Sequence, residues 1–151
     1  MKRIIVGMGM CGLSAGARST FEKLEALKAA HPGAFELSIA GCIGMCYREP
    51  LVELRENGAR AIFGDVTPER AAAIVERYVL GGETPAESDL AYRETADGAR
   101  GGTELDFLAP QRRIVLRNCG TIDPESIAEY REAGGYEALR KALRDMTPAG
   151  I

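Results

Sequence analysis

The chain has one histidine, no long apolar run, little net charge and few cysteines, and each shortage removes a class of function. The lone His31 falls at the expected C-terminal end of a helix, where an imidazole complements the helix dipole. Nothing beyond scattered residues therefore supports a Ser–His–Asp or general acid–base centre, and Glu49, Glu53 and Asp65 read as surface charges. No segment approaches the ~18 apolar residues that a membrane span requires. A formal net charge of -3 argues against a partner held by phosphate contacts, so the Arg112-Arg113 pair and the Arg140, Lys141, Arg144 cluster read as solvated faces. Four unevenly spaced cysteines do not make a secreted disulfide framework, and a reducing cytoplasm is the expected compartment. Met1-Lys2-Arg3 and the short run ending at Cys11 faintly imitate a lipoprotein signal. That run is glycine-interrupted and has Met10, not a small residue, before the cysteine, so export is not expected.

What remains is an ordinary soluble composition: 151 residues, 46% hydrophobic and 27% charged. That is enough for one domain, or one small domain with an extension. Arg3 to Met8 reads as a buried strand. Ala17, Phe21, Leu24 and Leu27 recur at helical spacing between Ser14 and Ala30, and His31-Pro32-Gly33 ends that helix. Phe35, Leu37 and Ile39 alternate as a strand with one buried face. Leu51 to Leu54 and Ala61 to Phe63 flank Asn57-Gly58, a hairpin signal. Thr67-Pro68 starts a second helix, with Ala71, Ile74, Val75, Tyr78 and Val79 on one face. The order predicts an α/β sandwich of thioredoxin-like β-α-β-β-β-α type, with a helix available for each face of the sheet.

Gly81 to Pro110 has little periodicity and reads as a linker, so the expected division is 1–80, then a linker over 81–111, then a segment over 112–151. In that last segment a strand is expected over Arg113 to Arg117. A helix opened by Asp123-Pro124-Glu125 and closed by Gly134-Gly135 should follow it. A second, short helix should carry Tyr136, Leu139 and Leu143, and Thr147-Pro148 looks like the start of a third.

The chemistry concentrates in Gly41-Cys42-Ile43-Gly44-Met45-Cys46, a C-x3-C loop between two expected strands, read with Cys11. Its glycines let the backbone fold back and aim sulfurs and N–H groups inward, which suits an iron–sulfur cluster. Zinc sites more often use C-x2-C or C-x4-C pairs, and a lone cysteine pair can also be structural. A competing motif, Gly7-x-Gly9-x-x-Gly12, sits between a strand and a helix as a dinucleotide fingerprint should. It lacks the acid at the end of the second strand, where Ile39-Ala40-Gly41 stands, and the first half is too short for two mononucleotide halves. The plainer account is that these glycines bring Cys11 close to the Cys42 loop.

Two stretches resemble known families. Gly9 to Ala17, Gly41 to Pro50 and Gly64 to Glu69 together resemble the thioredoxin-like 2Fe-2S ferredoxin domain. Residues 112–148, above all Arg113-Ile114-Val115-Leu116-Arg117-Asn118-Cys119-Gly120 and Ile122-Asp123-Pro124-Glu125-Ser126-Ile127, resemble the lead-in to the flavin- and NADH-binding subunit of complex I and of NAD(P)-linked hydrogenases and formate dehydrogenases. The resemblance implies a cluster held by Cys11, Cys42 and Cys46, with Ile43, Met45 and Leu13 as an apolar cover. It also implies flavin/NADH-binding and iron–sulfur subunits as partners. The usual domain has C-x4-C before C-x3-C, and here Val6 takes the place of the first cysteine. The fourth ligand is therefore open, with Cys119 a candidate, although packing is the better expectation for that thiol. The family's flavin- and NADH-holding loop lies beyond residue 151, so this chain alone is expected to bind neither. Besides an electron-transfer module, two further readings are a cluster-less thioredoxin-fold docking subunit and thiol–disulfide chemistry by Cys42 and Cys46. The last lacks the C-x-x-C at a helix start that activates such a thiol.

Overall fold

The computed structural model describes residues 1–151. Its frame is a single six-stranded sheet in the order β2-β1-β3-β4-β5-β6. β1 (Lys2–Gly7) lies parallel to β2 (Phe35–Ala40), in a register running from Lys2 opposite Phe35 to Gly7 opposite Ala40. The parallel pairing requires a crossover, which α1 (Met10–Ser14) and α2 (Ala17–Ala30) supply. The helix expected from Ser14 thus begins at Ala17, with the short α1 ahead of it, and the two are separated at Gly16, whose φ of +100° is left-handed and costs a glycine little.

β3 (Val52–Glu56) and β4 (Ala59–Phe63) form the expected hairpin. Asn57 and Gly58 have φ of +50° and +81°. Two positive-φ residues in a two-residue loop match the right-handed twist of the strands on either side. α3 (Pro68–Ile74) starts at Thr67, whose hydroxyl accepts the Arg70 N–H at 3.3 Å, with proline in the first turn. It continues as a wider-wound turn over Val75–Leu80.

Strand alternation sorts the side chains into two layers. Ile4, Val6, Val52, Leu54 and Phe63 pack with Ala17 and Leu24 of α2 and with Ala71 and Ile74 of α3. Both helices therefore cover one face, correcting the expectation of one helix per face. Met45, Leu51, Ile62, Ala91 and Tyr92 form a second, smaller cluster, with Ile43, Leu105 and Leu108 against it.

The second cluster draws on the stretch expected to be a linker. β5 (Tyr92–Glu94) pairs with β4, β6 (Arg100–Gly101) pairs with β5, and α4 (Leu105–Leu108) follows. Short strands with charged outward residues and frequent glycine give weak periodicity, so this hairpin has no signature of its own. Its stability comes from the exposed edge of β4.

The strand expected over Arg113 to Arg117 is absent. Those residues form turns, such as Cys119 N–H to the Leu116 carbonyl at 3.1 Å, and Ile114, Val115 and Leu116 are exposed. An apolar β-branched run becomes a strand only against a sheet edge, and none adjoins it here. α5 (Ile127–Glu132) starts later than expected, with Ser126 and not Asp123 as its cap, and α6 (Glu137–Asp145) carries Leu139 and Leu143 exposed. Thr147-Pro148 opens a single short turn over Pro148–Gly150. No helix is long and apolar enough to cross a membrane.

Arginines tie the C-terminal segment to the sheet. Arg55 donates to the carbonyls of Gly120 (2.7 Å) and Thr121 (3.2 Å), and Arg3 pairs with Glu129 at 2.6 Å. Arg113, expected on a solvated face, is half-buried and donates to the Ile43 and Cys119 carbonyls.

Candidate metal centre

The ends of β1 and β2 carry the two cysteine segments side by side. Gly9 caps α1, and a Cβ there would stand 3.1 Å from the Cys42 Cβ, so glycine is what allows the α1 turn to touch the cysteine loop. Gly44 adopts φ of +93°, and its N–H donates to the Cys42 sulfur at 3.3 Å. Met45, fully buried, pins the loop to the second cluster between its two thiols. This corrects its expected role as part of an outer cover. Leu13 stays on the surface and Ile43 lies against the second cluster.

Cys42 and Cys46 stand with their sulfurs 3.5 Å apart. The Cys11 and Cys42 thiols beside it push the Cys46 thiol up to about 12, because ionising one member of a packed thiol group costs hydrogen bonds to the others. The structure thus brings Cys11, Cys42 and Cys46 together on one open edge, with Cys11 and Cys46 exposed. Cys119 is half-buried on the segment lying against Ile43, and its thiol neither hydrogen-bonds to the three nor contributes to the shift at Cys46. The side chains as they stand form no closed cage for a single metal ion. A two-iron cluster is wider than one ion and takes thiolates from separate segments. Three convergent thiols and an N–H aimed at sulfur fit such a group, one ligand short.

Two of the three acids that read as surface charges, Glu49 and Glu53, are buried, and the cysteine loop is held by ion pairs beside them. Arg48 pairs with Asp65 (2.7 Å) and Glu104 (2.6 Å), while the Tyr47 hydroxyl donates to Glu104 at 2.6 Å and the Tyr47 ring packs edge-on against Phe107. The Tyr47 hydroxyl, helped by Arg48, holds the Glu104 carboxyl below its ordinary range. The loop is therefore clamped by residues just before and within α4, which sequence reasoning placed in a linker. Only Asp65 of the three expected surface acids is exposed. Glu53 is buried and paired with both Arg55 (2.5 Å) and Arg60 (3.0 Å). Glu49 is buried with 8% of its surface exposed; one oxygen accepts the Leu51 N–H at 2.7 Å and the other has no partner. Burial pushes its carboxyl up. Both acids line a cavity of about 20 Å³ under the cysteine loop, with Ile5, Gly7, Gly41 and Ile43.

Val6 is wholly buried in the larger cluster, on the helix-covered face, whereas Gly7 lines the cavity. A side chain at position 6 therefore points into the helical core and away from that cavity. The Gly7-Gly9-Gly12 fingerprint does not make a phosphate cradle. α1 has only five residues, and the Glu49 carboxylate lies 3.1 Å from where a Cβ at Gly7 or Gly12 would be, facing any anion with like charge.

No protein-family model matches the chain. Among curated proteins, the NADP-reducing hydrogenase subunit HndC of Solidesulfovibrio fructosivorans is 58% identical over 41 residues, 27% of this chain and 8% of that protein. Subunit HndB of the same organism is 34% identical over 83 residues, 53% of this chain and 65% of HndB. The chain thus spans less than two thirds of either relative. Among solved structures, a thioredoxin-like 2Fe-2S ferredoxin from Aquifex aeolicus superposes with a TM-score of 0.54 at 23% identity, covering 63% of this chain and 94% of that one. A wild-type crystal structure from the same organism gives 0.51 at 24% identity, over 60% and 95% of the two chains. The fold is that of the thioredoxin-like ferredoxins.

Proposed function

We propose that this chain, built on the thioredoxin-like ferredoxin fold, is an electron-transfer module in which Cys11, Cys42 and Cys46 hold a 2Fe-2S cluster. It relays single electrons to or from a flavin/NADH-linked oxidoreductase partner of the hydrogenase or complex I type. The observation that carries this is the convergence of three thiols from two chain segments on one exposed edge, with the Gly44 N–H on the Cys42 sulfur. The partial likeness to two hydrogenase subunits supports membership of such a multi-subunit complex.

A 2Fe-2S group supplies one-electron transfer at a potential set by its ligands and by hydrogen bonds to sulfur. The chain's own residues hold and tune it. The thiols give up their protons on binding iron, which overcomes the mutual inhibition of ionisation at Cys46. Gly44 donates to a ligand sulfur, stabilising the more negative thiolate. Met45 and the Tyr47–Arg48–Glu104 clamp fix the loop that spaces Cys42 from Cys46. Exposure of Cys11 and Cys46 gives the open edge that a redox partner must approach.

A second reading, a cluster-less docking subunit, is favoured by the exposed Ile114, Val115 and Leu116. Thiol–disulfide chemistry is disfavoured, because the Cys46 thiol is held up to about 12 and not lowered as an attacking thiol would be. The test is iron and acid-labile sulfide content with a visible spectrum, on protein purified without oxygen. About two of each per chain, and loss of the thiolate-to-iron band in Cys42→Ser, are expected. Protein free of iron after reconstitution, or an unchanged spectrum in Cys42→Ser, would refute the assignment.

A further inference from the structure

Arginines gather on the face of the sheet that the helices leave open. Arg3, Arg55 and Arg60 form one row across β1, β3 and β4, Arg3 opposite Arg55 and Arg55 opposite Arg60. Like charges directly opposite one another destabilise a sheet unless something offsets them. Arg3 has Glu129, but Arg55 and Arg60 share the single carboxylate of Glu53. Glu94, opposite Arg60 on β5, is paired with Arg100. The Arg60 Nε is buried and has no acceptor. A buried donor left unpaired is costly, so its retention points to an acceptor from outside the polypeptide.

Strand alternation puts the Arg60 side chain on the same face as Ile62, which stands opposite Tyr92. There it lines a cavity of about 250 Å³ between the sheet, α4, the cysteine loop and the C-terminal segment. The polar lining is Arg60, Tyr92, Gln111, Arg113, Arg117 and Thr121, with no acid among the lining residues. Arg113 gives two N–H groups to the Cys119 and Ile43 carbonyls, which fix its position and leave its charge uncancelled. Arg117 is exposed, and its guanidinium has no partner in the chain. Two arginines against one glutamate leave one positive charge, and Arg113 and Arg117 each add another, in a chain whose net charge is -3. The remaining wall is apolar, from Ile43, Ile62 and Leu108, and a low local dielectric strengthens charge-assisted hydrogen bonds. The volume falls below the ~300–1,000 Å³ of pockets for larger organic ligands, so the cavity suits a small anion and not a dinucleotide.

We propose that this cavity binds a phosphate dianion, free or as the terminal group of a small phosphomonoester, with Arg60 and Arg117 as its donors. Guanidinium forks match the oxygens of a phosphate, and a dianion offsets charge that a single carboxylate would leave standing. Arg113 adds charge from its fixed position, and Gln111 and Thr121 offer neutral hydrogen bonds. Ile43 is the residue after Cys42, so occupation of the cavity bears on the cysteine loop. The site stands whether or not a cluster is bound.

The test is isothermal calorimetry on the full chain at about pH 8, where phosphate groups are dianions. Inorganic phosphate and phenyl phosphate are titrated separately, at ionic strength held constant with chloride. Wild type is compared with Arg117→Ala, Arg117→Lys, Arg60→Gln and Arg144→Ala, and circular dichroism confirms each fold. One site per chain is expected, weakened about tenfold or more in Arg117→Ala and Arg60→Gln. Arg117→Lys should recover part of the loss, keeping the charge without the fork. Arg144→Ala, on exposed α6, should match wild type. Tighter binding of phenyl phosphate would assign the site to a phosphomonoester with its ring on the apolar wall, and equal or tighter binding of inorganic phosphate would assign it to the free ion. If Arg60→Gln fails to fold, Arg117→Ala decides by itself, since its guanidinium holds nothing else in place. Absence of saturable binding at millimolar concentration of either probe, or affinity unchanged in Arg117→Ala, would overturn the proposal.

Discussion

Truncating Met45 to alanine tests the coupling of core to site most directly, because this side chain lies between two ligand candidates and is fully buried. It packs with Leu51 and Ile62 from the sheet, with Ala91 and Tyr92 at β5, and with Leu105 and Leu108 of α4. Removing it forfeits the transfer energy of a buried thioether chain and leaves a cavity, together about 2–4 kcal/mol. Met45→Leu, close in volume, should cost under ~1.5 kcal/mol. Most of these neighbours come from residues 91–108, so Met45→Ala and Leu108→Ala should couple by about 0.5–1 kcal/mol in a double-mutant cycle. The assay is urea unfolding of the full chain, followed by far-ultraviolet circular dichroism and by tyrosine fluorescence. The two probes should give one coincident transition that shifts down in Met45→Ala. A cost below ~1 kcal/mol would mean that the loop is not anchored by burial. Zero coupling to Leu108 would mean that residues 81–111 do not share the core, restoring the linker expected from their composition.

Two further outcomes follow from single contacts. Thr67→Ala should destabilise the chain by about 1 kcal/mol through loss of the bond to the Arg70 N–H, while Thr67→Ser should be near neutral; equal stability of all three in urea unfolding would remove the cap from the account. Glu129 is held below the ordinary carboxylate range, first by the Asp123 N–H and then by Arg3. A lowered folded-state value stabilises above the unfolded value of about 4.3 and is lost as pH falls through the folded one. Protection factors of the amides around α5, which remove the slower intrinsic exchange in acid, should therefore fall in acid in wild type, with a weaker pH dependence in Glu129→Gln. Identical acid profiles in the two would remove Glu129 from the attachment of this segment.

The first eighty residues were legible because each element carried its own local signal. The Asn57-Gly58 turn, the Thr67-Pro68 cap and the His31-Pro32-Gly33 stop are short-range devices, and each falls where local chemistry puts it. β5 and β6 carry no such device. A three-residue strand exists because β4 has an edge to offer, and edge pairing is invisible to periodicity. The run Arg113 to Arg117 shows the reverse: its β-branched content is strong, but propensity without an edge gives turns with exposed apolar side chains.

The site was legible in its thiols and illegible in its carboxylates, for a related reason. Cysteine spacing with glycine reports a loop's chemistry directly, whereas a glutamate reads as surface unless its burial is known. Glu49 precedes Pro50 in a polar stretch and gives no sign of lying inside. Its burial is decided by two glycines more than thirty residues away, since a side chain at Gly7 or Gly12 would meet its oxygen. Two of the glycines that imitate a dinucleotide loop thus create the space for a buried acid. Counting cysteines puts the substitution at Val6, and strand alternation turns that side chain into the helix-covered core while Gly7 faces the cavity. In the folded chain that turn of β1 brings Gly7, and not a side chain, against the one buried acid whose second oxygen has no donor, so the burial of Glu49 and the glycine at position 7 depend on each other.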